Sequence, residues 1–458
     1  MAGVLALAGI MTSLQQTMIL PVLPAFEEPF DATPAETSWL VTATLLTAAV
    51  ATPLCGRLAD IYGKRPLLLV CIAAIAAGST IGALAPTLGV VVAGRALIGA
   101  GMAVVPIGIS TLRDELPPER IPMGVALMSA SFGVGSGVGF PLGGILATSV
   151  SWRVIFALTT VLALVVLVAV ALVVRRRPAR GEGGFDVVGA GLLSVAMVAV
   201  LMGLTGSVPS GVPGGALTCF LVFAVMFVAW VLWEVRAIDP LVDLRLALHR
   251  PVALTNIATA TFSFGIFTNV LGSAMQVQAP GTESGGFGLD EAGAGLFLVP
   301  SAVAFLAMAP VSAWLLGWVG GRWVLALGGG VMATAFALRI IWNAELWHAV
   351  LFSTVIAVGT AFVLAAAPWL LFRNVPLEQT ASATSVNALV RSVGTAVSSA
   401  TAAGVVALAL PAAWSAVSPF DLLFAVAAAA CGTGCLLSLG IPRGTTAGSA
   451  PTYPEGAP

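Results

Sequence analysis

Fourteen separate stretches of this chain stay apolar for about 20 residues or more, the length an α-helix needs to cross roughly 30 Å of hydrocarbon. That repeat constrains the fold more than any motif does. The approximate limits are 1–24, 36–56, 66–85, 87–111, 121–147, 152–174, 186–206, 214–233, 251–277, 291–316, 321–341, 346–370, 380–408 and 419–440. Composition agrees: 59% of the residues are hydrophobic and 9% charged, against about 25% charged in soluble domains. Mean hydropathy is +1.05. The expected fold class is an all-α integral membrane protein.

Where the charges fall sets the orientation. An even number of spans puts both termini on one side, and basic residues favour cytoplasmic loops. One set of alternate loops holds Arg57, Lys64, Arg65, Arg113, Arg120, Arg175, Arg176, Arg177, Arg180, Arg236, Arg245, Arg250, Arg322 and Arg373, with Arg443 in the tail. The other set holds only Arg153 and Arg339. Both termini are therefore expected in the cytoplasm, with the chain multi-pass in a bacterial cell membrane; its bias to Arg, Ala, Gly and Val suggests a GC-rich bacterial gene. The first span has no basic n-region and ends in Pro21 and Pro24, so it does not read as a cleaved signal peptide. The tail, 441–458, is rich in Gly, Pro, Ser and Thr and is expected to be disordered.

Net charge is −1, which suggests no nucleic-acid partner. The five cysteines lie in apolar runs; Cys431 and Cys435, one turn apart, make half a zinc site at most, and packing is the expected role. His249 and His348 are far apart in the chain, and G-x-S-x-G, H-E-x-x-H and Walker motifs do not occur. Neither metal nor cofactor is expected, nor ATP as an energy source, nor enzymatic activity.

On this map only Arg95 and Arg391 lie inside spans, and no Asp or Glu lies deep in one. A charge at mid-bilayer costs on the order of 3 kcal/mol, so such residues face a bundle interior or a wet cavity. Two amides, Gln15 and Gln16, interrupt the first span, and Thr268 and Asn269 the ninth. Burying an amide unpaired costs roughly 2 to 7 kcal/mol. Adjacent helix positions point about 100° apart, so Gln15 and Gln16 divide between a central cavity and a neighbouring helix, or both bond between helices. In the fifth span, Gly135, Gly139 and Gly143 recur every fourth residue, as do Gly133 and Gly137, leaving two stripes where another backbone can come close.

The loop Gly56-Arg57-Leu58-Ala59-Asp60-Ile61-Tyr62-Gly63-Lys64-Arg65 closely resembles the G-x-L-a-D-r-x-G-r-r signature of the major facilitator superfamily. Trp39-Leu40-Val41-Thr42-Ala43, Arg95-Ala96-Leu97-Ile98-Gly99-Ala100-Gly101, the glycine run and Ser151-Trp152-Arg153-Val154-Ile155-Phe156 are similar to segments of its fourteen-helix drug:proton antiporters. Phe185-Asp186-Val187-Val188-Gly189, Asp239-Pro240-Leu241-Val242-Asp243-Leu244-Arg245, Gly295-Leu296-Phe297-Leu298-Val299-Pro300 and Arg391-Ser392-Val393-Gly394 also fit. In the glycine run Phe140 stands where the family has proline, and the proline is displaced to Pro141.

The resemblance implies the major facilitator fold: a six-helix bundle over 1–174, a linker with two extra helices over 175–250, and a second bundle over 251–440. Substrate would bind between the bundles near the midplane, and rocking would expose it to either side. Asp60 would act as an electrostatic latch, paired with Lys64 or with the positive N-terminal end of the thirteenth span, while Lys64 pairs with Asp114. Gly135, Gly139, Pro141 and Gly143 would form the antiporter motif and pack against the other half without leaving a leak path. Gln15 aligns with the aspartate that relatives carry in the first span, so the usual proton-binding group is absent. Gln15, Gln16, Trp39, Asn269, Asn387 and Arg391 are the candidate substrate contacts. Arg95 is either a helix bridge or part of proton coupling, and Arg391 either meets a substrate anion or bridges helices.

The function implied is export of amphiphilic drugs or secondary metabolites, neutral or anionic, by a monomer in lipid drawing on the proton gradient. Gradient-driven uniport or uptake is the second reading, and a membrane enzyme or receptor the third.

Overall fold

The protein is described here from a computed structural model covering residues 1–37, 39–149, 151–175, 184–205, 215–242, 244–279, 286–343, 345–376, 379–407 and 418–442. The tail beyond 442, with Arg443, and the loop residues Arg176, Arg177 and Arg180 lie outside the described residues. The long helices are α1 (Ala2–Thr17), α2 (Trp39–Tyr62), α3 (Lys64–Leu84), α4 (Leu88–Glu115), α5 (Ile121–Ser149), α6 (Trp152–Val173) and α7 (Val187–Thr205). They continue as α8 (Ala216–Glu234), α9 (Arg250–Gln278), α10 (Glu291–Trp318), α11 (Gly321–Ile341), α12 (Leu346–Asn374), α13 (Thr380–Ala407) and α14 (Pro419–Leu439).

Among the described residues ten helices, α2–α4, α6, α8–α12 and α14, are long and apolar enough to cross a membrane. The first span, expected over 1–24, is shorter as an α-helix. The chain leaves α geometry after Thr17 and runs as a 3₁₀ helix over Leu20–Phe26, where Pro21 and Pro24 cannot donate the bonds that would continue α1. Two other spans are continuous in direction but irregular in hydrogen bonding. α4 passes through a 3₁₀ turn at Gly101–Ala103, and α9 through a π-helical turn at Thr268–Gly272.

Helices α1–α6 share one apolar core, built on residues such as Leu5, Met11, Ile72, Ile98 and Phe156. Residues of α9–α12 and α14 share a second, including Phe262, Met332, Phe336 and Phe424, with α13 packed along α9. The two halves meet where α5 lies along α10 and α2 along α13, with a further contact between α5 and α12. The pair α7–α8 packs on itself and against the α2–α13 seam through Leu46, Leu193, Met197, Trp230 and Leu389. Between α2 and this pair an apolar groove of 690 Å³ is lined by Leu46, Val50, Val198, Met202, Cys219 and Val222.

The glycine stripes of α5 serve two different neighbours. A Cβ on Gly135 would stand 2.8 Å from the Leu14 amide nitrogen and against the Ile10 carbonyl; one on Gly139 would strike Thr17, and one on Gly143 the Met18 carbonyl. This stripe therefore faces α1, inside its own half and not the other half as the motif implied, and Thr17 Oγ1 donates back to the Gly135 carbonyl at 3.4 Å. The other stripe crosses the seam: Cβ atoms on Gly133 and Gly137 would meet Phe305 and Ala302 of α10. Pro141 also lies on that side, 3.3 Å from the Cβ position of Gly295. In α4, Gly99 lies against the Thr44 carbonyl of α2 and Gly101 against the Cys71 carbonyl of α3.

These contacts predict unequal costs along one sequence. Gly139→Val should destabilise the protein by about 1–3 kcal/mol or more, because beyond the Thr17 hydroxyl it meets the Leu14 backbone of α1, which cannot yield. Gly3→Ala, which meets nothing within 4 Å, should leave stability within about 0.5 kcal/mol of the original. Thermal unfolding in detergent compares the two.

Candidate functional site

The residues singled out in the sequence fall into two groups at different depths. The first closes one end of the seam between the halves. Helix α2 delivers Asp60 at its last turn, buried, where its Oδ2 accepts from the Ser382 backbone N–H at 2.8 Å and from the Ser382 hydroxyl at 2.7 Å. Ser382 is in the first turn of α13, where backbone N–H groups have no partner within the helix and the dipole favours an anion. Lys64 is turned away from this contact: its Nζ donates to Asp114 Oδ2 at 2.7 Å and to the Ser110 carbonyl at 3.2 Å, tying α3 to the end of α4. Of the two partners foreseen for Asp60, the helix end supplies the hydrogen bonds, while Lys64 is near enough for the two charges to interact.

Beside it lies a second clamp that sequence reasoning missed. Arg113, next to Asp114 on α4, reaches across to the other half. It donates to Thr380 Oγ1 at 2.5 Å, to the Val375 carbonyl at 3.0 Å and to the Phe372 carbonyl, with its guanidinium 5.1 Å from the Phe372 ring centre. In the sequence it was one more basic loop residue. Its signal was adjacency to Asp114, since a cation beside the Lys64–Asp114 pair is free to point outward from it. We call this end of the molecule the gate end.

The second group lies within the helical bundles. Arg95 is buried; its Nε donates to the Leu40 carbonyl at 2.8 Å and its Nη1 to the Gln15 carbonyl at 3.3 Å, so one side chain ties α4 to α2 and α1. The Leu40 carbonyl also accepts from Thr44, whose hydroxyl lies 3.0 Å from the Arg95 carbonyl. The Gln15 side chain is 3% exposed, and neither its oxygen nor its nitrogen has a protein partner. Gln16 is half-buried on the adjacent face. Trp39, half-buried at the start of α2, packs on the cluster formed with α7 and α8.

In the other half the candidates bind one another's helices. Asn387 donates to Asn256 Oδ1 at 2.8 Å and to Thr259 Oγ1 at 3.1 Å, bridging α13 to α9. Asn269 donates to the Ser353 carbonyl of α12 at 3.2 Å, and its own oxygen is buried without a partner. Thr268 meets Ser398 at 2.7 Å. These amides thus engage neighbours inside their half. Arg391, one turn beyond Asn387, is half-buried, and its backbone carbonyl accepts from Thr395.

One residue is placed differently from its expectation. Arg339, counted above with the outer loops, is 0% exposed. It lies in the last turn of α11 and points inward. Its two terminal nitrogens donate to Ser273 Oγ at 2.7 Å and Gln276 Oε1 at 2.8 Å, and its guanidinium stands 4.2 Å from the Phe424 ring centre. Gln276 continues to Asn343 at 3.0 Å and Asn343 to Asp421 at 3.3 Å, so a polar chain runs through α9, α11 and α14. The readable signal was Ser273 and Gln276, one turn apart on α9 in an apolar span, which need a polar partner.

Comparison with known proteins places this architecture. Residues 5–399 match the Major Facilitator Superfamily. The chain is 27% identical over 310 residues to the tetracenomycin C resistance and export protein of Streptomyces glaucescens, covering 67% of this chain and 56% of that one. It is 32% identical over 278 residues to a multidrug resistance protein B homologue of Mycobacterium tuberculosis, covering 59% and 51%. The matched region thus spans just over half the length of each relative. Among solved structures, that of the human organic anion transporter MFSD10 superposes with a TM-score of 0.69 at 15% identity, over 95% of this chain and 98% of that one. With its two separately cored helical halves, its gate-end clamp and a family match spanning 5–399, the chain belongs to the major facilitator superfamily of membrane transporters.

Proposed function

We propose that the protein exports small amphiphilic compounds, drugs or secondary metabolites, by alternating access coupled to the proton gradient. In this reading it works as a monomer with fourteen membrane-crossing helices, and the gate end and both termini face the cytoplasm. The observation that carries the reading is the clamp. Asp60 and Arg113, both from the first half, hold the first turn of α13 and the end of α12 in the second. Two halves with separate cores, joined by polar contacts at one end of their seam, suit a rocking motion that breaks those contacts and leaves each core intact. The export function named for the Streptomyces and Mycobacterium relatives gives the direction.

Gln15 supports the substrate class. A buried amide with no protein partner can take hydrogen bonds from a cargo or its hydration water but cannot titrate. With Arg95 beside its backbone and no carboxylate in α1, the surroundings of Gln15 favour neutral or anionic cargo over cations. The same absence of a first-span carboxylate favours a second reading, gradient-driven uniport. Transport in proteoliposomes with and without an imposed pH gradient separates the two: antiport requires accumulation against a concentration gradient when the pH gradient is present, and a uniporter only equilibrates.

Asp60→Asn should keep substrate affinity within about twofold while lowering turnover at least tenfold, because the closed state loses a charge-assisted bond worth roughly 1.5–3 kcal/mol. Equal turnover, with gate-end thiol probes labelled at the original rate, would remove the clamp from the mechanism. Gln15→Asp should make transport steeply pH-dependent and admit cationic substrates. An unchanged pH profile and cation rejection would show that this side chain does not face the transport path.

A further inference from the structure

Two segments noted in the sequence, Phe185-Asp186-Val187-Val188-Gly189 and Asp239-Pro240-Leu241-Val242, take no part in the gate clamp or the glycine seam. The structure folds them together at the ends of α7 and α8. Asp186 immediately precedes α7 and caps it, its Oδ1 accepting from the Gly189 N–H at 2.8 Å. The same carboxylate accepts from the Trp233 indole of α8 at 3.0 and 3.1 Å. The neighbouring residue on α8, Glu234, is 3% exposed. One of its oxygens accepts from the Val242 N–H, and the other, Oε2, is buried without a partner.

Gly189 shows where that oxygen points. A Cβ there would stand 2.8 Å from Glu234 Oε2 and closer still to Asp186 Oδ2, so the two carboxylate oxygens lie within about 5 Å of each other across a bare glycine Cα. Capping explains Asp186, and pinning of the following loop explains Glu234 Oε1. Neither explains a second carboxylate oxygen, buried and turned towards another carboxylate. Two ionised carboxyls so placed disfavour each other's charge, and a single proton between them relieves both the repulsion and the orphaned oxygen.

The charged groups around the pair divide clearly. Arg236 folds back on the Leu232 carbonyl at 3.0 Å, and Asp239 accepts from the Gly184 N–H at 2.8 Å. Among the described residues Arg57 of α2 is the cation whose charge reaches Glu234, more weakly than burial, Asp186 and the Val242 and Leu241 N–H groups do. It is half-buried, its Nε is buried without a partner, and among the described residues no hydrogen bond or ion pair holds it. Arg57 also stands one helical turn before Asp60, the residue that clamps α13.

We propose that Asp186 and Glu234 form a proton-binding site by which the two linker helices sense pH and set the gate. In the closed conformation the pair holds one proton. When the carboxyl O–H bond breaks and the proton passes to water at the gate end, the added negative charge draws Arg57 towards Glu234. The end of α2 moves with it, and the Asp60–Ser382 contact loosens. The proton-bound pair belongs to the closed state, so closure is favoured at low pH and lost as pH rises through the titration of the pair. None of this depends on which compound is carried or on whether carriage is by antiport.

The test uses the full chain in lipid nanodiscs. Infrared difference spectra on raising pH report the protonated carboxyl, and spin labels at Tyr62→Cys and Arg373→Cys report the gate distance. The original protein should lose a carboxyl band as the gate widens, with the same midpoint. Glu234→Gln, which keeps an acceptor for Val242, should remove the band and hold the gate closed at every pH. Asp186→Asn should lower the midpoint by at least one pH unit, since Glu234 then ionises without a carboxylate facing it. Arg57→Gln should keep the band while the gate distance stops responding to pH, which decides the matter even if Glu234→Gln does not fold. A band absent from the original protein, a band that survives Glu234→Gln, or a gate that still follows pH in Arg57→Gln would each overturn the proposal. Loss of transport with these spectra unchanged would count against the export reading alone.

Discussion

Helices surrounded by lipid gain little from placing one apolar surface on another, because hydrocarbon chains solvate leucine as well as a neighbouring helix does. Association then depends on how closely two backbones can approach, and here glycine decides that distance. The α1–α5 contact exists because Gly135, Gly139 and Gly143 leave room for the carbonyls of Ile10, Leu14 and Met18. The α3–α4 contact repeats the solution, with Gly78 and Gly94 each lying against the other's carbonyl oxygen. A helix fixed this tightly cannot slide by a residue without collision, so the registers of α1 against α5 and of α3 against α4 are fixed. The stripe facing α10 is built differently, since Gly133 and Gly137 meet the side chains of Phe305 and Ala302 rather than backbone. The Phe305 ring can change rotamer where carbonyls cannot yield, whereas the Ala302 methyl cannot. Within one helix, then, one face meets the backbone of its own half and the other meets side chains of the other half.

The polar groups divide along the same line. Arg95, Arg339, Asn387 and Asn269 each spend their donors on partners in their own half. A guanidinium in hydrocarbon that bonds to carbonyls or hydroxyls ties helices together without a carboxylate, and such bonds survive any rigid-body movement. Asp60 and Arg113 bond across the seam, as does Thr384 of α13 to the Pro106 carbonyl of α4 at 3.3 Å, and under the proposed rocking such bonds are the ones that exchange partners. Asp60 and Arg113 sit at one end of that seam, against the first turn of α13 and the end of α12.

Much of this was readable before any coordinates. The order of the helices follows from hydropathy, and the place of Asp60 at the end of a helix in the other half was implied by the resemblance of Gly56–Arg65 to the family signature, with the polarity of a helix N-terminus as its physical reason. What hydropathy does not encode is helix rotation. Arg339 is two residues from the end of α11, where a basic side chain ordinarily reaches out to the membrane surface. It turns inward because Ser273 and Gln276 meet it there, a match between α9 and α11 that no local pattern displays. Asn269 and Asn387 were recognisable as polar groups needing partners, but whether the partner was cargo or a neighbouring helix depended on the same unknown rotation. Arg113 and Glu234 were hidden for another reason: each lies at the edge of a span, where a charge needs no explanation until its surroundings are known.

The bond from Arg95 to the Gln15 carbonyl joins these lines of argument. In relatives with an aspartate at that position, a carboxylate would stand on the residue whose backbone Arg95 holds, and its charge would offset the guanidinium. Here the side chain is neutral, so the arginine's field is left to the surrounding dipoles and to whatever enters beside Gln15. Such a place accepts a neutral polar group or an anion with less electrostatic cost than a cation. Under the proposed antiport, the proton must then bind elsewhere, on a carboxyl group that the alternating movement exposes or covers. Among the described residues the buried carboxylates are Asp60 and Glu234. Both lie at the gate end, where a proton coming or going would act directly on the contacts that hold the halves together.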